Sequence, residues 1–514
     1  MDASSDQRWE DEPDEEAPAV PDGSVFGIPY RWVAMFVVLF GTFMVALDTT
    51  VVNLGLPSMQ RDFGTIEGIE WVVTAYLAAV GVTLTMSGWL ADRFGRKQMF
   101  VFSLGMFTLA SLLCAMAPTL PALIGFRLLQ GVAGGMLMPV VMAMIYELFE
   151  PHERGKALGY FGIAVMAAPA IGPVLGGSLV ASANWRWLFL INIPVGLVGF
   201  PVAIKLLKDT GYRERRPLDV FGFVLAGVGV SAVLVGFERG ASEGWSHTSV
   251  VVFLATGVVL LTGFVIHALR TAHPLLDIRI LAHPVFAVGM ATIALMSVAQ
   301  FSRLVYVPLQ LGTVRGVDEF QVGLVMLPSA LGIALTMSVG GRLADRVGAR
   351  IPVSVGLTIF ALSFLGLASL RIDTPLPVVG AVMFAGGIGA GLAMMPPNIL
   401  AMNSVTAPQV SQGSSLSQVS RQMSSAIGTA IMASIFATIR IDADPSSLTA
   451  SEAMSPFRTV FLVAFGFLVV AVIVAQWEPG KAKALELQEE RRQEMRQLGI
   501  GPEAEEAAPA YAEF

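Results

Sequence analysis

The sequence predicts an all-α polytopic membrane protein built as two six-helix bundles plus two inserted helices, giving 14 transmembrane helices. Apolar residues make up 54% of the 514 residues and charged residues only 14%, and the mean hydropathy is +0.69. A soluble protein carries about 25% charged residues. A charged phrase also occurs twice, at Gly88–Arg96 and Gly341–Arg350, about half a chain apart. A charged phrase duplicated between apolar runs is predicted to form a loop in each copy and indicates two similar halves.

Each predicted span is an apolar run close to the ~20 residues that a helix needs to cross a bilayer. In chain order the spans cover roughly residues 32–56, 71–91, 98–117, 120–141, 156–181, 187–207, 219–238, 248–270, 284–312, 320–343, 350–370, 376–398, 412–439 and 457–477.

The basic residues predict which side of the membrane each loop occupies. If both termini lie inside, the inner segments hold 22 of the 32 Lys and Arg residues and the outer loops hold seven. Lys and Arg concentrate in cytoplasmic loops. An even number of spans returns the chain to its starting side, so both termini are predicted to be cytoplasmic.

The position of the repeated phrase predicts the domain organisation. Its copies follow the second and tenth spans, whereas a plain duplication of six helices would place the second copy after the eighth. The spans at 219–238 and 248–270 are therefore predicted to be inserted. The predicted domains are a disordered acidic tail (1–30), a six-helix bundle (31–210), the inserted pair (211–282), a second bundle (283–478) and a cytoplasmic tail (479–514).

Ionisable residues within spans are few, and each is a candidate functional residue because burying a charge in a membrane is costly. They are Asp48, Arg127, Arg303 and Arg421. At ~1.5 Å per residue, Asp48 and Arg127 both fall in the outer half of the membrane. A carboxylate in a poorly solvated cavity beside an arginine could load and release a proton. A static ion pair that orients two helices is the alternative.

The other two arginines are candidates for a substrate cavity. Either could bind an anionic or carbonyl-bearing ligand, or could cap carbonyls and pair with Gln300 or Gln422. Methionines in the fourth span could line an adaptable apolar cavity or simply pack. The candidate cavity residues are Asn53, Gln130, Met138, Gln300, Arg303 and Arg421.

Small residues in the fifth span predict a close helix contact or a bend where the two bundles meet, although ordinary membrane packing would explain any single glycine. They are Gly172, Pro173, Gly176 and Gly177.

Enzyme and metal chemistry find little support in the sequence. Cys114 is the single cysteine, and the five histidines fall in loops or near span ends without zinc-type spacing. A phosphate loop and a nucleophile elbow are missing. We therefore expect no enzyme activity and no cofactor.

Five segments together resemble the major facilitator superfamily, specifically its fourteen-helix drug–proton antiporter family. They are Leu47–Pro57, Gly88–Lys97, Leu123–Gly131, Gly172–Gly177 and Trp185–Gly196. The resemblance implies a bacterial plasma-membrane exporter that works by alternating access, with the proton gradient as its energy source. It also implies proton coupling at Asp48 and Arg127, and an antiporter signature at Gly172–Gly177. The residues implied in gating the cytoplasmic side are Gly88, Asp92, Arg93, Gly95, Arg96, Gly341, Asp345 and Arg346.

The cargo is the part that the sequence leaves open. One embedded acid against three arginines favours neutral, zwitterionic or anionic amphiphiles over dications. Drugs, lipids, cell-envelope components or a self-made metabolite would all suit the same scaffold, and a facilitator or importer is a further alternative. The expected partners are a small-molecule substrate, protons and the lipid bilayer, with no nucleic acid, and the protein is expected to function as a monomer.

Overall fold

The computed structural model describes residues 24–25, 28–65, 68–149, 151–182, 184–209, 217–271, 274–405, 409–440 and 450–478. The predicted tail 479–514 and most of the predicted tail 1–30 lie outside the described residues. Two short strands, β1 (Ser24–Val25) and β2 (Ile28–Pro29), pair antiparallel just before the first helix.

Helices make up the rest of the described fold. They are α1 (Tyr30–Phe63), α2 (Trp71–Phe94), α3 (Arg96–Ala115), α4 (Leu120–Leu148), α5 (Pro151–Ser182), α6 (Trp187–Leu190), α7 (Asn192–Leu206), α8 (Val220–Glu243), α9 (Thr248–Arg270), α10 (Pro284–Thr313), α11 (Glu319–Val347), α12 (Arg350–Ala368), α13 (Leu376–Asn403), α14 (Val410–Arg440) and α15 (Ala450–Ala475), with a 3₁₀ helix at Ile278–Ala282.

The helices follow the predicted spans closely. Twelve segments of the described chain are long and apolar enough to cross a membrane, one of them formed by α6 and α7 together. Helices α5 (32 residues) and α14 (31 residues) are also long enough, so the described chain holds fourteen segments of membrane length. Several helices extend beyond the apolar runs, since polar residues can continue a helix outside the bilayer. For example, α8 runs on to Glu243, whereas the predicted span stops at residue 238.

The repeated phrase is mostly helical, which differs from the loop that we predicted. Residues 88–94 form the last turns of α2, and residues 341–347 form the last turns of α11. Gly95 has φ +93° and Gly348 has φ +86°, in the region that favours glycine. These glycines end each helix and allow the next one to begin almost at once.

Helices α1–α7 pack together as a first bundle, and α10–α15 pack together as a second. The two bundles meet where α2 packs on α14 and where α5 packs on α11; we call these two contacts the seam. Close approach within the first bundle depends on glycine. A side chain at Gly131 of α4 would come within 2.5 Å of the carbonyl oxygen of Tyr76 in α2.

The inserted helices lie beside the seam. Helix α8 packs against α2 of the first bundle and also against α14 of the second, while α9 packs mainly against α8. Both fall within the predicted inserted segment at 211–282.

Candidate functional site

A buried ion pair joins α1 to α4 in the interior of the first bundle. The Nη1 atom of Arg127 lies 2.7 Å from Oδ2 of Asp48. The side chains are only 2% and 0% exposed, respectively. The two ionisable residues that the sequence placed in the outer half of the membrane are therefore in direct contact.

Amide side chains complete the surroundings of the Asp48 carboxylate. Its Oδ1 accepts hydrogen bonds from Nε2 of Gln130 at 2.9 Å and from Nδ2 of Asn192 at 3.1 Å. Both amides also donate to the hydroxyl of Ser111 in α3, at 2.8 and 3.3 Å. Helices α1, α3, α4 and α7 thus meet around one carboxylate.

Arg127 is held independently of Asp48. Its Nε donates to the carbonyl oxygen of Val72 at 2.9 Å, and its Nη1 also donates to Oε1 of Gln130 at 2.6 Å. The guanidinium lies over the ring of Tyr76, 4.1 Å from its centroid, a favourable cation–π arrangement. Neutralising Asp48 would therefore leave Arg127 with partners on α2 and α4.

This geometry makes the Asp48 carboxylate a junction between α1, α4 and α7. The carboxylate accepts three hydrogen bonds, one of them from a cation. Removing one partner of a buried ion pair costs about 3–5 kcal/mol, because the other charge is left uncompensated. A proton on Asp48 neutralises that charge and weakens the link between α1 and its neighbours in α4 and α7.

Asn192, Ser111 and Tyr76 are site residues that the sequence analysis missed. Asn192 lies in the segment Trp185–Gly196 that carries part of the resemblance, but no role was assigned to it. A buried asparagine in an apolar span was the available signal. For Ser111 and Tyr76 the sequence offers no comparable signal, since both residue types are common in membrane helices.

The first copy of the repeated phrase contacts the second bundle at the seam. The carboxylate of Asp92, which is 6% exposed, accepts a hydrogen bond from the hydroxyl of Ser411 at 2.6 Å. Ser411 is at the start of α14, where a carboxylate is favoured by the helix dipole. Arg96 pairs with Glu147 of α4 at 2.8 Å and reaches the Ser411 hydroxyl at 3.4 Å.

Ser87 and Gly88, which precede Asp92 in α2, lie at a close contact between α2 and α14. The hydroxyls of Ser87 and Ser415 are 3.1 Å apart. A side chain at Gly88 would come within 3.0 Å of the carbonyl oxygen of Ser411. These contacts lie at the end of the bundles that the charge distribution predicts to be cytoplasmic.

The remaining gating candidates differ in their exposure to solvent. Arg93 and Arg346 are exposed, whereas Gly95 and Gly341 are buried. The side chain of Asp345 lies outside the described residues.

The glycines of the fifth span pack against the ion-pair helix. A side chain at Gly172 of α5 would come within 2.5 Å of Oγ1 of Thr50, two residues beyond Asp48 in α1. Gly172 therefore packs within the first bundle and not, as we predicted, where the bundles meet; α5 meets the second bundle nearer its start, at Gly159 and Gly162. Gly176 is buried, and the side chains of Pro173 and Gly177 lie outside the described residues.

The candidate cavity residues divide between three places. Gln130 belongs to the ion-pair site, and Arg303 is enclosed within the second bundle, where it donates to Gln300 at 2.8 Å. Arg421 lies on α14 and is partly exposed, as is Met138 on α4. The side chain of Asn53 lies outside the described residues.

Comparison with known proteins gives consistent matches over most of the chain. A family model described as Major Facilitator Superfamily matches residues 38–429 and 304–504. The uncharacterized MFS-type transporter YhcA of Bacillus subtilis is 32% identical over 78% of this chain and 76% of its own length. A multidrug resistance protein B homolog of Mycobacterium tuberculosis is 33% identical, over 77% and 74% respectively.

Two further similarities cover more of the chain. The putative multidrug resistance protein MdtD of Escherichia coli O157:H7 is 30% identical over 87% of this chain and 93% of its own length. The solved structure of the proton:xylose symporter XylE covers 88% of this chain and 96% of XylE, with a TM-score of 0.60. At 14% identity, the likeness to XylE concerns the fold alone.

Proposed function

Because the chain belongs to the Major Facilitator Superfamily, we propose that it is a proton-coupled exporter, an antiporter of drugs or other amphiphilic small molecules that works by alternating access. Membership confirms the all-α polytopic fold predicted from the sequence, and it identifies a multi-pass membrane transporter of small molecules rather than an enzyme. The direction of transport, the proton and the cargo belong to the proposal.

The observation that carries the proposal is the buried pair of Asp48 and Arg127. An acid with 0% exposure, held by an arginine and two amides, is costly to keep in a membrane protein that has no use for it. A proton that enters from outside neutralises Asp48 and releases α1 from its network. Loss of the proton on the inner side restores the ion pair.

The contacts at the seam supply the gate in this proposal. The hydrogen bonds from Ser411 to Asp92 and from Arg96 to Ser411 lie at the predicted cytoplasmic end, where they hold α2 and the start of α3 against α14. Cargo would enter from the cytoplasm after these contacts open, and it would leave outward once they form again. The proton gradient supplies the energy, without a cofactor.

The names of the relatives support drugs as a class of cargo. Two of the similar proteins are named for multidrug resistance, at about 30% identity. We infer a bacterial plasma-membrane protein that functions as a monomer with both termini in the cytoplasm. An exporter of lipids, envelope components or a self-made metabolite would use the same proton site and differ only in cargo.

The test measures export in an efflux-deficient bacterial host across a panel of toxic amphiphiles, with and without a proton uncoupler. We expect the wild type to protect against some compounds and the uncoupler to remove that protection. Asp48→Asn, which keeps the shape but stays neutral, should reduce proton-driven export at least 10-fold.

Asp373→Asn is the matched control, since Asp373 is an exposed carboxylate in a loop. It should transport like the wild type. Full proton-driven export by Asp48→Asn would show that Asp48 is not the coupling acid, and increased cell loading would point to an importer.

A further inference from the structure

We propose that Arg421 and Tyr146 form a binding subsite for the carboxylate head group of a monoanionic amphiphile, located between α4 and α14. This inference rests on the proposed function, because it assigns a chemical class to the cargo of the same transporter. It concerns binding, which can be measured without any proton gradient.

Arg421 is a cation without a protein partner in the described part of the chain. No carboxylate lies within 4.0 Å of its guanidinium there, and its Nε is buried without a hydrogen-bond acceptor. The side chain is nevertheless partly exposed. A buried donor left without an acceptor is costly, and a ligand that supplies one removes that cost.

Tyr146 faces the same region from the first bundle. It lies near the end of α4, is 4% exposed, and its hydroxyl is buried without a partner among the described residues. Helices α4 and α14 are in contact, and Tyr146 lies within electrostatic range of Arg421. Two polar groups without partners among the described residues thus lie on helices that pack against each other across the bundles.

The charged residues near Arg421 and Tyr146 already have hydrogen-bond or ion-pair partners. Arg154 lies over the Tyr146 ring at 5.2 Å and donates to the carbonyl oxygens of Phe149 and Tyr146, at 3.1 and 2.9 Å. Glu147, the acid next to Tyr146 in the chain, is paired with Arg96 at 2.8 Å. The groups that remain available to bind a ligand are therefore the guanidinium of Arg421 and the hydroxyl of Tyr146.

That set of donors fits a carboxylate. A guanidinium fork binds a planar carboxylate through two parallel hydrogen bonds, and the tyrosine hydroxyl can add a third. One guanidinium with free hydrogen-bonding capacity matches a single carboxylate group. A dication would be repelled by Arg421 and by the nearby Arg154.

The stretch of α14 that carries Arg421 is rich in polar residues. Between residues 411 and 425 this helix carries seven serines and three glutamines besides Arg421. Ser417 donates to the Asn398 amide oxygen of α13 at 3.4 Å, and Ser414 is bonded within its own helix. An apolar body could then extend along the methionines of α4.

Arg303, an arginine of the same bundle as Arg421, is enclosed by its neighbours. It is 2% exposed, stacks 4.9 Å from the centroid of Phe360, and donates to Gln300. A side chain at Gly386 would come within 2.9 Å of its Nη1, so the helix backbone closes that side. Arg303 also has a buried donor without an acceptor, its Nη1, but it is enclosed within the second bundle, whereas Arg421 lies on a helix at the contact between bundles.

The experiment compares two ligands that share an apolar body. Purified full-length protein in nanodiscs is titrated with 1-naphthylacetate and with its neutral amide, 1-naphthylacetamide, at constant chloride. We expect the wild type to bind the carboxylate at least 10-fold more tightly than the amide. Arg421→Gln should abolish that preference, Arg421→Lys should retain part of it, and Tyr146→Phe should weaken carboxylate binding several-fold.

Arg371→Gln serves as the matched control, because Arg371 is exposed in a loop, and it should behave like the wild type. The proposal fails if the wild type binds neither compound or binds both equally, if Arg421→Gln keeps the preference, or if chloride alone reproduces the effect. It also fails if Arg421→Gln lowers the unfolding temperature of the unliganded protein by more than Tyr146→Phe does, since Arg421 would then be structural. Failure of proton-driven export by the wild type would leave these binding results standing.

Discussion

At the scale of single residues, two buried acids differ in what surrounds them. Asp48 is 0% exposed and receives an arginine and two amides. Glu478, which follows α15, is 3% exposed and lies against Thr292 of α10. Burial raises the pKa of Glu478 to about 8, because its charged form loses hydration without an ion pair among the described residues.

Glu478 makes the stability of the second bundle depend on pH. Its folded-state pKa of about 8 lies above the ordinary glutamate value of 4.5, so the folded state favours the protonated form. The free energy of unfolding should therefore fall between pH 4.5 and pH 8 and stay constant above. Glu478→Gln should raise the free energy of unfolding by on the order of a few kcal/mol at pH 9 and change little at pH 4.5.

Thermal unfolding in detergent from pH 4.5 to pH 9 measures this effect, with Asp373→Asn as the surface control. Parallel pH profiles for Glu478→Gln and the wild type would contradict the assignment.

The residue scale also shows how far sequence reasoning reaches. Asp48 and Arg127 could be predicted because ionisable side chains within spans are rare and costly. The contacts that Asn192 and Ser111 make around this pair could not, since the sequence does not tell which helices are neighbours. Glu478 was overlooked because it follows the last predicted span by one residue, and only packing shows that it is enclosed.

At the scale of helices, α8 gives the inserted pair a definite place. Its polar contacts are with the first bundle: Glu238 accepts a hydrogen bond from Thr74 at 2.7 Å, and Ser231 donates to the carbonyl oxygen of Ala78 at 2.7 Å. Its contact with α14 is apolar, through Val230, Leu234 and Val419. Because directional bonds lie on one side and apolar packing on the other, we expect α8 to stay with the first bundle when the two bundles separate.

Gly81 is the point at which this attachment can be tested. A side chain there would come within 2.9 Å of the Ser231 hydroxyl and 3.3 Å of its Cα, so Gly81→Val should force α8 away from α2. We expect a lower unfolding temperature and at least a several-fold loss of export.

Gly125→Val is the matched control, because a side chain at Gly125 meets nothing within 4 Å in the described structure. Equal effects of the two substitutions would mean that helix propensity, rather than the contact with α8, causes the loss.

The sequence predicted the helices far better than their contacts. Apolar runs are a strong signal, and the predicted spans agree with the helices to within a few residues at most ends. The repeated phrase was expected to form loops, because its charges must leave the apolar core. A helix can continue past the membrane, so the phrase ends α2 and α11 instead.

At the scale of the whole molecule, glycines of the first bundle bring the two bundles together at one end. Gly88 of α2 packs against Ser411 and Ser415 of α14, and Gly159 of α5 packs against Ser338 of α11. Both contacts are near the helix ends that carry the repeated phrases. The seam is therefore closed at the predicted cytoplasmic end, and any inward opening must separate these helices.

A reversible cross-link across the seam tests whether the bundles must separate during transport. The hydroxyls of Ser87 and Ser415 are 3.1 Å apart, so the double variant Ser87→Cys and Ser415→Cys should form a disulfide on oxidation. Cross-linking should reduce export of the compounds found in the panel at least 10-fold, and a reducing agent should restore it. Each single-cysteine variant retains the buried Cys114 and should be insensitive to oxidation, which controls for that thiol. Undiminished export after complete cross-linking, verified by counting free thiols, would rule out inward opening at α2 and α14 as a step of the cycle.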